Sequence, residues 1–154
     1  MFQISKSAHI WFKKIDQKRG YTNAPIMDIY YMCFIVGVLS KKPLRQLEDG
    51  EGAFYSRGGW PGVYQDNYQN IIGLFLESEL DRFKVDRKNK DSVRENVNKY
   101  LDTDNTTKLS NDAIETMNDY SYTGFIHIRD TLKEEPEDLV NFLVDYSNIV
   151  KSFL

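Results

Sequence analysis

The stretch from Ile26 to Leu39, IMDIYYMCFIVGVL, sets the tightest limit on what this chain folds into. It carries one charge, Asp28, and its apolar side chains fall all round a helical wheel. A helix that is apolar on every side has to be covered on every side, by lipid or by the rest of the protein. Length argues against lipid: crossing a bilayer takes about 20 apolar residues, and this run of 14 is soon followed by Lys41 and Lys42. Pro25 suits a first helical position, where its missing N–H has no partner to lose. Asp28 lies in the opening turns, where negative charge is favoured. The run is therefore expected to be a buried central helix. The chain of 154 residues is expected to form one domain, 1–154, around it; a domain of this size covers roughly 70% of its unfolded surface without disulfides or metal.

Cys33 sits in the middle of this run, between Met32 and Phe34. A reactive thiolate needs a helix N-terminus or a cation beside it, so Cys33 reads as a small buried hydrophobe. It is the only cysteine, which rules out an internal disulfide. The N-terminal residues lack the apolar stretch of a secretory leader. Together these favour a cytoplasmic protein, with no membrane partner.

The rest of the chain reads as helices with polar connections. Ile4, Ala8, Trp11, Phe12 and Ile15 predict a helix over Lys6–Lys18 that ends at Gly20. Tyr68, Ile71, Ile72, Phe75, Leu76, Leu80 and Phe83 predict a long helix over Tyr64–Phe83. Asp91 or Ser92 is expected to cap a shorter one bearing Val93, Val97, Tyr100 and Leu101. Ser110 or Asn111 is expected to cap a helix with Ile114, Met117 and Tyr120. The stretch TGFIHIRDTL is then either a further helix or a short strand. Pro136 and its neighbouring acids open a last helix striped by Leu139, Phe142, Leu143, Tyr146, Ile149, Val150 and Phe153. Period-two alternation is nearly absent. The expected fold is all-α: a single compact domain of six to seven helices around the central apolar helix, with a long Gly-rich loop.

That loop, Lys41 to Val63, holds five of the nine glycines and shows no periodicity. Loops this long are uncommon in compact domains and are often functional. Its SRGGWPG core has neither the Walker spacing nor GxGxxG, so phosphate cradling is weakly supported. Phe54, Tyr55, Arg57 and Trp60 are instead expected to form a partner-docking site, since Trp, Tyr and Arg are enriched at interface hot spots.

No constellation of side chains predicts catalysis or a cofactor. His9 and His127 stand outside any metal-type array. The stretch DTDNTTKLSNDA opens like a calcium loop with Asp102, Asp104 and Thr106. It then places Thr107 where glycine is needed and Ala113 where glutamate is needed. The acids Glu77, Glu79 and Asp81 are spread along a helix around Leu80 and need no catalytic explanation. Net charge is −3, which gives no bulk attraction to nucleic acid. Three basic clusters remain: Lys13, Lys14, Lys18 and Arg19; Lys41, Lys42 and Arg45; and Arg82, Lys84, Arg87, Lys88 and Lys90. The candidate phosphate-contacting residues are Lys13, Lys14, Lys41, Lys42, Arg45, Arg87 and Lys88, should two clusters converge in space.

Two segments carry a resemblance: KKIDQKRGYTNAPIMDIYYMCFIVGVLSKKPL near the start and FIHIRDTLKEEPEDLVNFLVDY near the end. Together they cover about a third of the chain, and they resemble small helical accessory subunits of bacterial anti-phage systems. Proteins of that kind are encoded beside SMC-like or AAA-type ATPases, in Lamassu-type and DNA-phosphorothioation-associated clusters. The resemblance implies a non-catalytic subunit that docks on a larger ATPase or nuclease, with DNA as a further partner. The Lys41–Val63 loop has no counterpart in the resemblance, and no catalytic residue is carried over.

Overall fold

The central apolar run forms helix α3, Ala24–Ser40, and it is covered as its composition demands. Cys33, Phe34 and Val36 are fully buried, and Met27, Ile29, Tyr30 and Val38 nearly so. The structure is a computed structural model that describes residues 2–17, 24–51 and 59–154. Among these, α1 spans Lys6–Trp11, α2 Lys13–Gln17, α4 Tyr68–Arg82, α5 Lys90–Asn98, α6 Asn111–Leu132 and α7 Leu139–Lys151. A 3-10 turn, Gly62–Asp66, leads into α4. The two-stranded sheet among the described residues is an antiparallel pair, β1 (Ile4–Ser5) with β2 (Gly50–Glu51). The architecture is therefore mostly helical, as the periodicity predicts.

The principal packing is α3 against α6, and two glycines set its depth. A Cβ at Gly37 would lie 1.8 Å from the carbonyl oxygen of Tyr120, and one at Gly124 would lie 1.7 Å from that of Cys33. Neither gap admits a side chain, so the two backbones touch where the helices cross. Ser121 adds a hydroxyl bond across the same seam, donating to the Tyr30 carbonyl at 3.3 Å. Phe34, Tyr120, Phe75 and Tyr100 continue this core as edge-to-face ring pairs, and Phe12, Phe125 and Phe142 form a second aromatic group. Such pairs add about 0.5–1.5 kcal/mol each beyond their area.

Several boundaries differ from the periodicity for local reasons. The expected first helix breaks at Phe12, whose N–H still bonds the Ala8 carbonyl before α2 restarts. Asn89, rather than Asp91 or Ser92, caps α5 by accepting from the Ser92 N–H. Tyr100 lies beyond that helix, and Leu101 bridges to Leu109. Ser110 caps α6 as expected, accepting from the Ala113 N–H at 3.2 Å. That helix then runs unbroken through TGFIHIRDTL, closing the strand option. Asp138 caps α7 through the Asn141 N–H at 2.9 Å.

Candidate functional site

The described part of the Lys41–Val63 loop is pinned along α6 by side chains. Thr123 Oγ1 accepts the Leu44 N–H at 2.6 Å, and Asp119 Oδ1 accepts the Gln46 N–H at 2.9 Å. Asp119 and Thr123 are one turn apart on α6, so they share a face and reach alternate amides of the segment alongside. Glu48 anchors the other end, accepting from the Ser7 amide at 3.2 Å, the Ser7 hydroxyl at 2.5 Å and the Tyr122 hydroxyl at 3.4 Å. The backbone is held, yet two of its side chains face outward: Leu44 is 50% exposed and Leu47 86%. Two apolar side chains are thus held in water on a fixed backbone.

The four residues expected to dock divide between two situations. Phe54, Tyr55 and Arg57 lie outside the described residues. Trp60 is buried: its indole packs on Phe2 at 4.9 Å and stacks on Tyr68 at 6.2 Å. Its Nε1–H donates to the Thr107 carbonyl at 3.0 Å. Trp60 therefore clamps the 101–109 loop to the start of α4, and as placed it offers no exposed anchor. That polar loop is braced by its own acids and amides. Asp102 accepts the Asp104 N–H, and Asn105 accepts both the Thr107 amide and its hydroxyl. Among the described residues no group of three or more His, Cys, Asp or Glu is placed to hold a metal.

The basic residues separate into distinct places. Lys41 and Lys42, at the end of α3, line a groove of about 760 Å³ with Val38, Leu39, Leu74 and the α4 residues Glu77, Asp81 and Arg82. Arg87 joins its edge by bonding both Glu77 and Asp81 at 2.7 Å. Two of the three clusters thus converge here, with acids interleaved. Arg45 lines a separate polar cleft of about 500 Å³ shared with Arg82, Glu115, Asn118 and Asp119. Lys13 and Lys14 belong to α2, and Lys14 is ion-paired to Glu137 ahead of α7. Lys18 and Arg19 lie outside the described residues. Lys88 is exposed in the α4–α5 connection, its N–H bonded to Asp86.

Glu79 is a buried polar centre that its place among the helix acids does not single out. Only 2% exposed, it accepts the Tyr120 hydroxyl at 2.8 Å and the Tyr100 hydroxyl at 2.5 Å. Arg82 closes the set with two bonds, Nε at 2.9 Å and Nη2 at 2.5 Å. Burial pushes the Glu79 carboxyl up, but Arg82 and the two hydroxyls outweigh it and hold it below the ordinary glutamate range. The tyrosines shift upward, by burial and by the carboxylate they bind. Four bonds saturate a carboxylate, so Glu79 is a structural anion with no lone pair left for a substrate. The clue is in the sequence: Glu79 lies between Phe75 and Leu80 within the apolar stripe of α4, three residues before an arginine. Asp119, at the cleft, goes the other way. Burial raises it, against the Gln46 amide and Arg45, which lower it.

Of the other singled-out groups, Cys33 is fully buried and burial pushes its thiol well up. His127 is half-buried with its ring on Phe153 at 4.9 Å. No described helix is long and apolar enough to cross a membrane. Searches against protein-family models, curated proteins and solved structures match this chain to none of them.

Proposed function

We propose that this chain is a non-catalytic docking subunit of a larger assembly, attached through the Lys41–Val63 loop. The observation that carries this reading is the pinned 42–49 segment, which holds Leu44 and Leu47 outward on a fixed backbone. A partner gains those leucines without having to order the loop first, and pre-organisation of that kind favours binding. The saturated coordination of Glu79 supports a structural role for this buried acid. The resemblance implies an ATPase or nuclease as the partner, in a bacterial defence complex of the cytoplasm.

The test is affinity purification of the tagged chain from its native cells, beside the variant Leu44→Asp/Leu47→Asp. The expected result is a larger ATPase or nuclease recovered with the wild type and lost with the variant. A chain recovered alone, or a partner equally retained by the variant, overturns the reading. Trp60→Ala is a poor probe, because it removes a core clamp.

A second reading, contact with DNA phosphates, is favoured by one observation: Lys41, Lys42 and Arg82 line one groove, and Arg87 bonds its Glu77 and Asp81. Binding would weaken with salt at about 0.9 log unit per phosphate neutralised, and Lys41→Glu/Lys42→Glu would abolish it. Binding to duplex DNA that ignores this change would remove the reading.

A further inference from the structure

Helix α7 turns Phe142 and Ile149 into the core and keeps Leu139, Tyr146 and Val150 half-covered against it. Opposite them, on the outer side, stand Val140 at 72% exposure, Val144 at 57% and Leu143 at 43%. Val140, Leu143 and Val144 stand within about one turn of one another, and Ser147 and Lys151 continue the same side as a stripe toward the C-terminus. The two ends of this stripe differ in charge. Glu134, Glu135 and Glu137 lie exposed ahead of the helix, and Lys151 lies exposed in its last turn. Glu137 already holds Lys14, but its side chain is still 73% exposed.

We infer that this face pairs with the same face of a second copy, antiparallel, about a two-fold axis through Val144. A face with acids ahead of a small apolar patch and a lysine beyond it complements itself only in that direction. Parallel pairing would set acids against acids. Antiparallel pairing sets Lys151 of each copy over the acidic end of the other, Val140 over Ser147 and Asn148, and Val144 against its own symmetry mate. Two-fold pairs of this isologous kind are the commonest oligomers, and antiparallel helices also oppose their dipoles favourably. Charge complementarity selects a second copy over an unrelated helix, because both halves of the match are present on this one chain. The pairing is independent of the Lys41–Val63 docking loop.

The test uses the full chain in analytical ultracentrifugation, with protein up to about 1 mM, the range of the weakest association considered. The wild type is expected to shift from monomer to dimer mass as concentration rises. Val144→Lys puts like charges on the axis and abolishes the shift, while circular dichroism and the monomer's melting temperature stay unchanged. Lys151→Glu weakens the dimer roughly tenfold, and adding Glu135→Lys/Glu137→Lys restores it. Val144→Cys forms a disulfide-linked dimer under mild oxidation, whereas Asn141→Cys, off the stripe, does not. A wild type that stays monomeric throughout, or a dimer that ignores both Val144→Lys and Lys151→Glu, overturns the inference. A monomer whose Val144→Lys variant instead loses a purified partner protein overturns it too, and assigns the face to that partner.

Discussion

Helices α3 and α7 carry much the same kind of apolar side chain, and the structure treats them in opposite ways. α3 is largely covered: Cys33, Phe34 and Val36 are out of solvent's reach, and Tyr31, Met32, Ile35 and Leu39 are half-buried. α7 is sealed on one side only, leaving Val140, Leu143 and Val144 in water. Composition accounts for part of the difference, since α3 is apolar all round whereas α7 carries Asn141, Asp145, Ser147 and Asn148 among its apolar residues; access accounts for the rest. Gly37 and Gly124 let the backbones of α3 and α6 touch, so α3 is gripped from the inside, and other elements cover most of what remains. α7 lies against the outside of that pair, and nothing among the described residues covers its far side. The first helix is a finished contact, the second half of one.

The largest expected effect comes from forcing the finished contact open. Gly124→Ala or Gly37→Ala would drive a methyl into a carbonyl oxygen, where no rotamer offers an escape. Each change should cost about 3 kcal/mol or more, read as a fall in the urea midpoint or as failure to fold. A loss under about 1 kcal/mol would mean that α3 and α6 do not approach this closely.

Next comes the buried carboxylate that locks α4 to α6 and to the 99–110 region. Glu79→Gln should cost about 2–3 kcal/mol, because bonds to a charged group are replaced by neutral ones. The variant should also change the acid limb. Glu79 is held below its unfolded value, so its contribution is present above about pH 4.5 and is lost as pH falls through the lower folded value. Asp119 is raised, so its ionised form subtracts stability as pH rises through its folded value. Urea titrations between acid and neutral pH should show Glu79→Gln with a flatter acid limb than wild type, and Asp119→Asn with a steeper one. Parallel curves would remove the assignment of Glu79 as the structural anion.

Smaller still is the effect of altering the open side. Val144→Lys should change monomer stability by no more than about 0.5 kcal/mol, as expected of an exposed site, while removing self-association. The comparison sharpens without any change to the native sequence as well. Cys33 should resist a thiol reagent until the chain unfolds, because it is buried and its thiol is pushed up, whereas a cysteine placed at position 144 should label at once. Rapid labelling of native Cys33 would contradict a sealed α3.

Helices are legible wherever apolar residues keep a strict period and a capping side chain stands in front, as at Ser110 before α6 and along Phe142–Ile149–Phe153. Boundaries are less legible where a tertiary contact decides them: the break at Phe12, or the shift of Tyr100 out of α5 to reach Glu79. The candidate site is half legible. The loop's length and composition mark it as unusual, but they present Trp60 as an exposed anchor when Phe2, Tyr68 and Thr107 bury it. Those partners lie 58, 8 and 47 positions away along the chain, and no local pattern announces them.

The sequence by itself determined that this chain is helical and that Ile26–Leu39 lies at its centre, because period and length are local properties that water judges one segment at a time. Only the tertiary structure decided that Val140, Leu143 and Val144 would stay open on α7, and which acid would be buried. Those outcomes depend on how closely two backbones approach, and on whether two tyrosines from separate segments arrive around a carboxylate already paired with Arg82 of its own helix.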